Sequence, residues 1–164
     1  MDTNQESVRR AVEDLQARYI RIIDDDTIEE WPDLFTEKCL YKIVTRENFD
    51  AGLPLAIMEC RSRGMLEDRV TGLRRINVYE PQRYSHQVSG LVTEPAGEGP
   101  FGPSKVRCRS NYMVVRTLGD GSMTIFSTGV YQDLIVVDGE GAMFEERIVV
   151  QDSRRVETLI VIPL

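Results

Sequence analysis

62-SRGMLEDRVTGLRRINVYEPQRYSHQVSG-90 changes periodicity half-way along, and that change decides the fold. Ahead of Pro81, Leu66, Val70, Leu73 and Asn77 follow one another at spacings of four and three, and Met65, Gly72 and Ile76 widen the same face. This spacing predicts an amphipathic helix from about Ser62 to Asn77. Past Pro81, 83-RYSHQVSGLV-92 alternates instead, and a period of two puts Tyr84, His86, Val88 and Val92 on one face of a strand. A helix thus passes into β structure at a proline.

Working back from that junction, the chain is mainly helical. Thr3-Asn-Gln-Glu6 has the form of a capping box, and Val8, Val12, Leu15, Tyr19 and Ile22 make one apolar stripe on a helix of about five turns. Asp24, Asp25 and Asp26 then sit at the unfavourable end of the helix dipole, which predicts a break, with Asp26 capping a second short helix through Glu29 and Trp31. Cys39–Arg46 alternates as a strand, and Gly52 and Pro54 interrupt the chain before Leu55-Ala-Ile-Met-Glu59.

Working forward, strands are expected near 83–94, 104–118, 122–137 and 142–151, with a last one at 156–162. Leu118-Gly-Asp-Gly121 and Asp138-Gly-Glu-Gly141 read as hairpin turns. The class is therefore α+β: N-terminal helices packed on a long, strongly curved, mostly antiparallel sheet, a cone with an interior. There is no internal repeat or low-complexity linker, so residues 1–164 are expected to form a single domain.

Composition excludes several functions. The chain has 20 basic and 27 acidic residues, a net charge of -7, which repels nucleic-acid backbones and anionic membranes, although Arg107 and Arg109 offer a local patch to an anion. No apolar run in the first twenty residues resembles a signal-peptide core and no segment has transmembrane length, so a cytoplasmic protein is expected. Cys39, Cys60 and Cys108 are odd in number and widely spaced, and read as small buried hydrophobes.

Catalytic equipment is sparse. Gly97-Glu-Gly-Pro-Phe-Gly102 matches a dinucleotide fingerprint in letters alone; prolines interrupt it and a strand follows, so it is a loop. His86 is the chain's single histidine. On an inward face it is either a half-buried histidine satisfied by one hydrogen bond or a general base, with Tyr41 and an acid among Asp24, Asp25 and Asp26 sharing the proton work. Apolar side chains such as Leu66 and Met113 filling the interior would weaken the second option. One histidine builds neither a Rieske centre, which takes two histidines and two cysteines, nor a mononuclear iron facial triad, which takes two histidines and a carboxylate. An all-oxygen metal site at Asp24–Asp26 competes with a plain acidic corner, and no serine lies in a nucleophile elbow.

In the helix of the opening stretch, Arg63 can pair with Glu67 one turn on. Arg69 lies beside the apolar stripe with no acid three or four residues away, and Asp68 likewise lacks a local partner of opposite charge. Asp68 and Arg69 are thus candidates for ion pairs with other segments or another chain. The apolar run 158-TLIVIPL-164 also has to be covered, by the sheet or by a partner.

Three segments carry a resemblance: 30-EWPDLFTEKCLYKIVTRENFDAGLPL-55, 64-GMLEDRVTGLRRINVYEPQRYSHQVSG-90 and 146-ERIVVQDSRRVETLIVIPL-164. Together they resemble the small, or beta, subunits of aromatic-ring-hydroxylating dioxygenases, most closely those acting with terephthalate-type or salicylate-type large subunits. The MLEDR helix followed by YxxH in a strand is the specific part. The resemblance implies a cone like that of nuclear transport factor 2 (NTF2-like) and scytalone dehydratase, in a hexamer of three large (alpha) and three small subunits whose small subunits associate as a trimer. It implies further that the large subunit carries the Rieske 2Fe-2S cluster, the mononuclear iron and an aromatic, carboxylated substrate. The small subunit is then structural, and no catalytic or metal residue carries over. A stand-alone cone-fold dehydratase, isomerase or cyclase using His86, Tyr41 and Asp25 or a neighbouring acid is the alternative, and a ligand-binding module without a reaction is a third.

Overall fold

The computed structural model describes residues 3–75, 81–97, 104–155 and 162–164. Helix α1 spans Thr3–Asp24 and buries the predicted stripe, Val12, Leu15, Tyr19 and Ile22. It ends where the three aspartates begin. Asp26 takes a left-handed φ of 59°, which takes it out of the capping role expected of it. The following 3-10 helix, Ile28–Leu34, starts from Thr27 without a side-chain cap. Asp26 instead accepts from Arg74: its carboxylate from Nη1 and its carbonyl from Nη2, both at 2.8 Å.

Strand β1 covers Phe35–Thr45, starting four residues before the predicted Cys39. Short helix α2, Arg46–Asp50, is capped by the Thr45 hydroxyl, which accepts from the Asn48 N–H at 3.3 Å. Then come β2 (Met58–Cys60) and α3 (Arg63–Arg75), followed by β3 (Gln82–Gly97), β4 (Ser104–Leu118), β5 (Met123–Asp138) and β6 (Gly141–Gln151). Ile76, Asn77, the glycine loop at 98–103 and most of the last expected strand, 156–161, lie outside the described residues. On α3, Leu66, Val70 and Leu73 are buried as the spacing requires, whereas Met65 is exposed. The expected Arg63–Glu67 pair is not made. Arg63 donates from Nε and Nη2 to the Phe35 carbonyl, at 3.1 Å for Nε, and so ties α3 to β1 across the chain.

The strands form one sheet in the order β2-β1-β6-β5-β4-β3, with β1 and β6 parallel and all other neighbours antiparallel. Its inner face packs on α1, the 3-10 helix and α3 around Trp31, Tyr19, Tyr41, Tyr131, Phe35 and Phe144. Bulges bend it and change which residues face in. Gly90, with φ of 65°, sits in a register shift between Ser89 and Val92. The alternation restarts there, so Leu91 packs on the core and Val92, expected inside with His86, is 53% exposed. On β4, Tyr112 and Val114 face in, leaving Met113 on the other face.

The three thiols are buried and free. Burial pushes the Cys39 thiol up to about 11 and Cys108 up to about 12, and holds the Tyr41 and Tyr131 phenols well above their ordinary value. These groups are neutral when folded, while an unfolded thiol ionises near 9.0. Their contribution to stability is therefore complete below that pH and is lost as pH rises towards the folded values. Urea melts at about pH 8 and about pH 10.5 should show the lower midpoint at the higher pH; equal midpoints would contradict this account.

Candidate functional site

His86 is placed by β3 and completed by α1. Its backbone N–H donates to Asp24 Oδ2 at 2.8 Å, and ring Nδ1 lies 2.5 Å from Asp24 Oδ1. One carboxylate thus clamps both the strand and the imidazole. Asp24 lies at the C-terminal end of α1, where a carboxylate is disfavoured by the helix dipole, so these two donors offset a local cost. Donation from Nδ1 leaves Nε2 as the ring's acceptor, the arrangement of an acid-oriented base. Yet the His86 side chain has no exposed surface, and Nε2 meets no hydrogen-bond partner among the described residues. A substrate proton has no route to it in this conformation.

The other candidates do not converge there. Tyr41 is fully buried in β1, edge-on to Trp31 at 4.9 Å between ring centroids, and its hydroxyl is engaged by Leu164. Asp25 is exposed; the acid that meets His86 is Asp24. Asp68 is exposed on α3, and Arg69 is half-buried beside Cys60, whose thiol it acts on electrostatically against the dominant effect of burial. Two other α3 charges reach distant acids: Arg74 donates to Glu29 Oε1 at 2.6 Å as well as to Asp26, and Arg63 Nη1 lies 3.9 Å from Glu37 Oε2. Arg74 holds the Glu29 carboxyl below its ordinary range. The acidic corner is therefore an anchor for α3.

Sequence reasoning missed the centre of the cone. Arg147 on β6 is fully buried, and its Nε and Nη2 donate to the two Asp133 oxygens at 2.9 and 2.8 Å. Nη2 also donates to Gln16 Oε1 at 2.5 Å, and Gln16 Nε2 donates to Asp133 at 2.8 Å. The guanidinium carbon stands 4.1 Å from the ring centroids of Tyr19, Tyr131 and Phe144. The direct cross-strand register of Asp133 and Arg147 is the signal that could have found the pair. It was hidden because a bulge within β6, where Phe144–Glu146 face Leu134 and Ile135, switches the alternation, turning Arg147 inward in place of Glu146.

This filled interior contrasts with a cavity of about 490 Å³ near the start of α1, lined by Gln5, Val8, Arg9, Thr93, Pro95 and Lys105 among others. It lies roughly 25 Å along the helix from Asp24 and does not serve the Asp24–His86 pair.

Comparison with known proteins agrees with this architecture. Residues 6–148 match the SnoaL-like domain family. Over 150 residues the chain is 40% identical to the small subunit of anthranilate 1,2-dioxygenase from Burkholderia cepacia, covering 92% of this chain and 90% of that one. The chain belongs to the aromatic-ring-hydroxylating dioxygenase small-subunit family. Another relative is subunit beta 2 of the terminal oxygenase component of terephthalate 1,2-dioxygenase from a Comamonas species, 36% identical, with 90% and 93% of the two chains covered. A crystal structure described as a ring-hydroxylating dioxygenase beta subunit, from Novosphingobium aromaticivorans, superposes with a TM-score of 0.85 at 35% identity, over 99% of this chain and 100% of that one. The iron centres implied by the dioxygenase family do not fit this small subunit's donors. Its one histidine already holds Asp24 through Nδ1, and no group of three or more His, Cys, Asp or Glu side chains gathers among the described residues. No helix among those residues is long and apolar enough to cross a membrane.

Proposed function

We propose that this chain, as one domain over residues 1–164, is the structural small subunit of an aromatic-ring-hydroxylating dioxygenase in aromatic catabolism. It works by assembling with an iron-bearing large subunit. The observation that carries this is the 40% identity to a dioxygenase small subunit across nearly the whole chain. The donor set supports it from the other side, since the histidines an iron site needs are missing from the sequence. In this reading the Rieske cluster and the mononuclear iron belong to the large subunit, the complex is an alpha3beta3 hexamer in the cytoplasm with the small subunits as a trimer, and the substrate is an aromatic carboxylate. Asp68 and Arg69 on α3 are proposed as contacts of this assembly.

Co-expression with the large subunit encoded beside it is expected to yield one stable hetero-oligomer whose iron and colour reside in the large chain. A large subunit that assembles and oxidises its substrate fully in the absence of this chain would overturn the proposal. The Asp24–His86 geometry favours a second reading, a cone-fold enzyme using His86 as base. That reading requires His86→Ala to abolish a reaction of the folded chain alone. The structural reading instead expects His86→Ala to leave turnover of the assembled oxygenase intact whenever assembly is intact.

A further inference from the structure

Two patches at opposite edges of the sheet are left uncovered by the described residues. At the β2 edge, α2, the loop from α2 to β2 and the first turn of α3 expose Phe49, Leu53, Leu55, Ile57 and Met65, with Leu55 at 70%. The loop is tied into one shape. The Leu53 N–H donates to the Asn48 carbonyl at 2.9 Å, Asn48 Nδ2 to the Leu55 carbonyl at 3.4 Å, and the Ile57 N–H to the Ile43 carbonyl at 2.8 Å. Its apolar side chains are thus ordered in advance of any partner, which lowers the cost of binding one. Asp50 follows Phe49, and Asp68 lies one turn beyond Met65 on α3; both are exposed and make no ion pair among the described residues.

At the other edge, the exposed Val92 of β3 stands directly across from Arg109 of β4. Arg107 and Arg109 are exposed on the face turned away from the core. Glu94 lies opposite Arg107 in the register, yet neither arginine forms an ion pair among the described residues, and Arg109 donates to the Asn111 side-chain oxygen at 3.4 Å. β2 and β3 are the two ends of the six-stranded sheet, so the patches lie roughly 20–25 Å apart.

One patch is apolar with unpaired carboxylates and the other apolar with unpaired guanidinium groups. A two-fold contact sets a patch against itself and would bring like charges together at either edge. A head-to-tail contact sets one patch against the other and pairs them. The net charge of -7 favours that second arrangement, because copies of an acidic chain repel unless the contact brings cations to carboxylates. We propose that copies of this chain join head to tail, with the β2-edge patch of one seated on the Val92, Arg107 and Arg109 patch of the next, and close into a ring. This joint rests on the reading of the small subunits as a trimer and adds which surfaces meet.

The test compares the full-length wild-type chain with Leu55→Asp, which breaks the head, and Arg109→Asp, which breaks the tail, by sedimentation velocity. Both positions are exposed, so both variants are expected to melt like wild type. Wild type should sediment as a ring and each variant as a monomer, with the apparent dissociation constant raised at least about tenfold. An equimolar mixture of the two variants should give a dimer, since the intact head of one fits the intact tail of the other while closure is blocked. Should Leu55→Asp fail to fold, Asp68→Lys takes its place. A monomeric wild type, a ring kept by either variant, or a mixture that stays monomeric overturns the joint. Co-expression with the large subunit separates this result from the subunit assignment. A wild-type ring that captures no large chain refutes the assignment alone, whereas a variant that keeps its ring and loses the large chain gives that patch to the large subunit and refutes the joint.

Discussion

Replacing Arg147 by methionine is expected to lower the stability of the chain by about 3–5 kcal/mol, because it leaves the Asp133 carboxylate buried without its cation. Asp133 has two oxygens on Arg147 and one shared with Gln16, and neither partner of the ion pair has exposed side-chain surface. The guanidinium is also stacked among Tyr19, Tyr131 and Phe144, so the substitution removes cation–π contacts together with the charge. Denaturant melts of Arg147→Met and of Asp133→Asn should both show the loss. Desolvating an ion pair is itself costly, and a whole network can be exchanged for apolar groups with little net change. The triple variant Arg147→Met, Asp133→Leu, Gln16→Leu is therefore expected to recover most of what the single change loses. A single variant that melts like wild type would show that the pair contributes nothing, and a triple variant no better than the single would show that the cost is one of packing rather than charge.

Gly129→Ala is the second large effect expected. Gly129 lies in β5 opposite Gln151, and a Cβ built there would fall 1.9 Å from the Val150 carbonyl oxygen and 3.0 Å from the Tyr112 ring. The obstructing atom is backbone in the neighbouring strand, so relief requires parting β5 from β6. A loss of about 3 kcal/mol follows, or a melting temperature lower by about 6–12 °C for a chain of this size. Gly72 is the internal control: it sits in α3, where an added Cβ would meet nothing within 4 Å, so Gly72→Ala should raise stability by about 0.5–1 kcal/mol. Opposite signs at the two glycines would separate close approach from helix propensity; a tolerated Gly129→Ala would mean that the sheet relaxes without loss.

The order of the long elements was legible because each rests on a local period, whereas α2 and β2 are too short to show one. The stripe Val12, Leu15, Tyr19, Ile22, the face Leu66, Val70, Leu73 and the long alternating runs of β3–β6 are properties of neighbouring residues, and all of them appear in the structure. The count of one histidine likewise falls, from the sequence alone, short of the two that either family iron centre takes. Period-based reasoning fails at bulges. One at Gly90 turned Val92 outward and another at Glu145 in β6 turned Arg147 inward, and a bulge depends on how two strands pair rather than on either strand by itself. Side-chain partners were lost for a related reason: Arg63 met the Phe35 carbonyl and Arg74 met Asp26, contacts between segments 28 and 48 residues apart. The sequence by itself determined the long helices, the long strands and the count of one histidine, since those follow from local spacing and from counting. Only the tertiary structure decided that Asp24 clamps His86, that Arg147 and Asp133 fill the cone and that Tyr19 and Tyr41 meet Leu164, because each depends on which distant residues curvature and register bring within hydrogen-bonding reach.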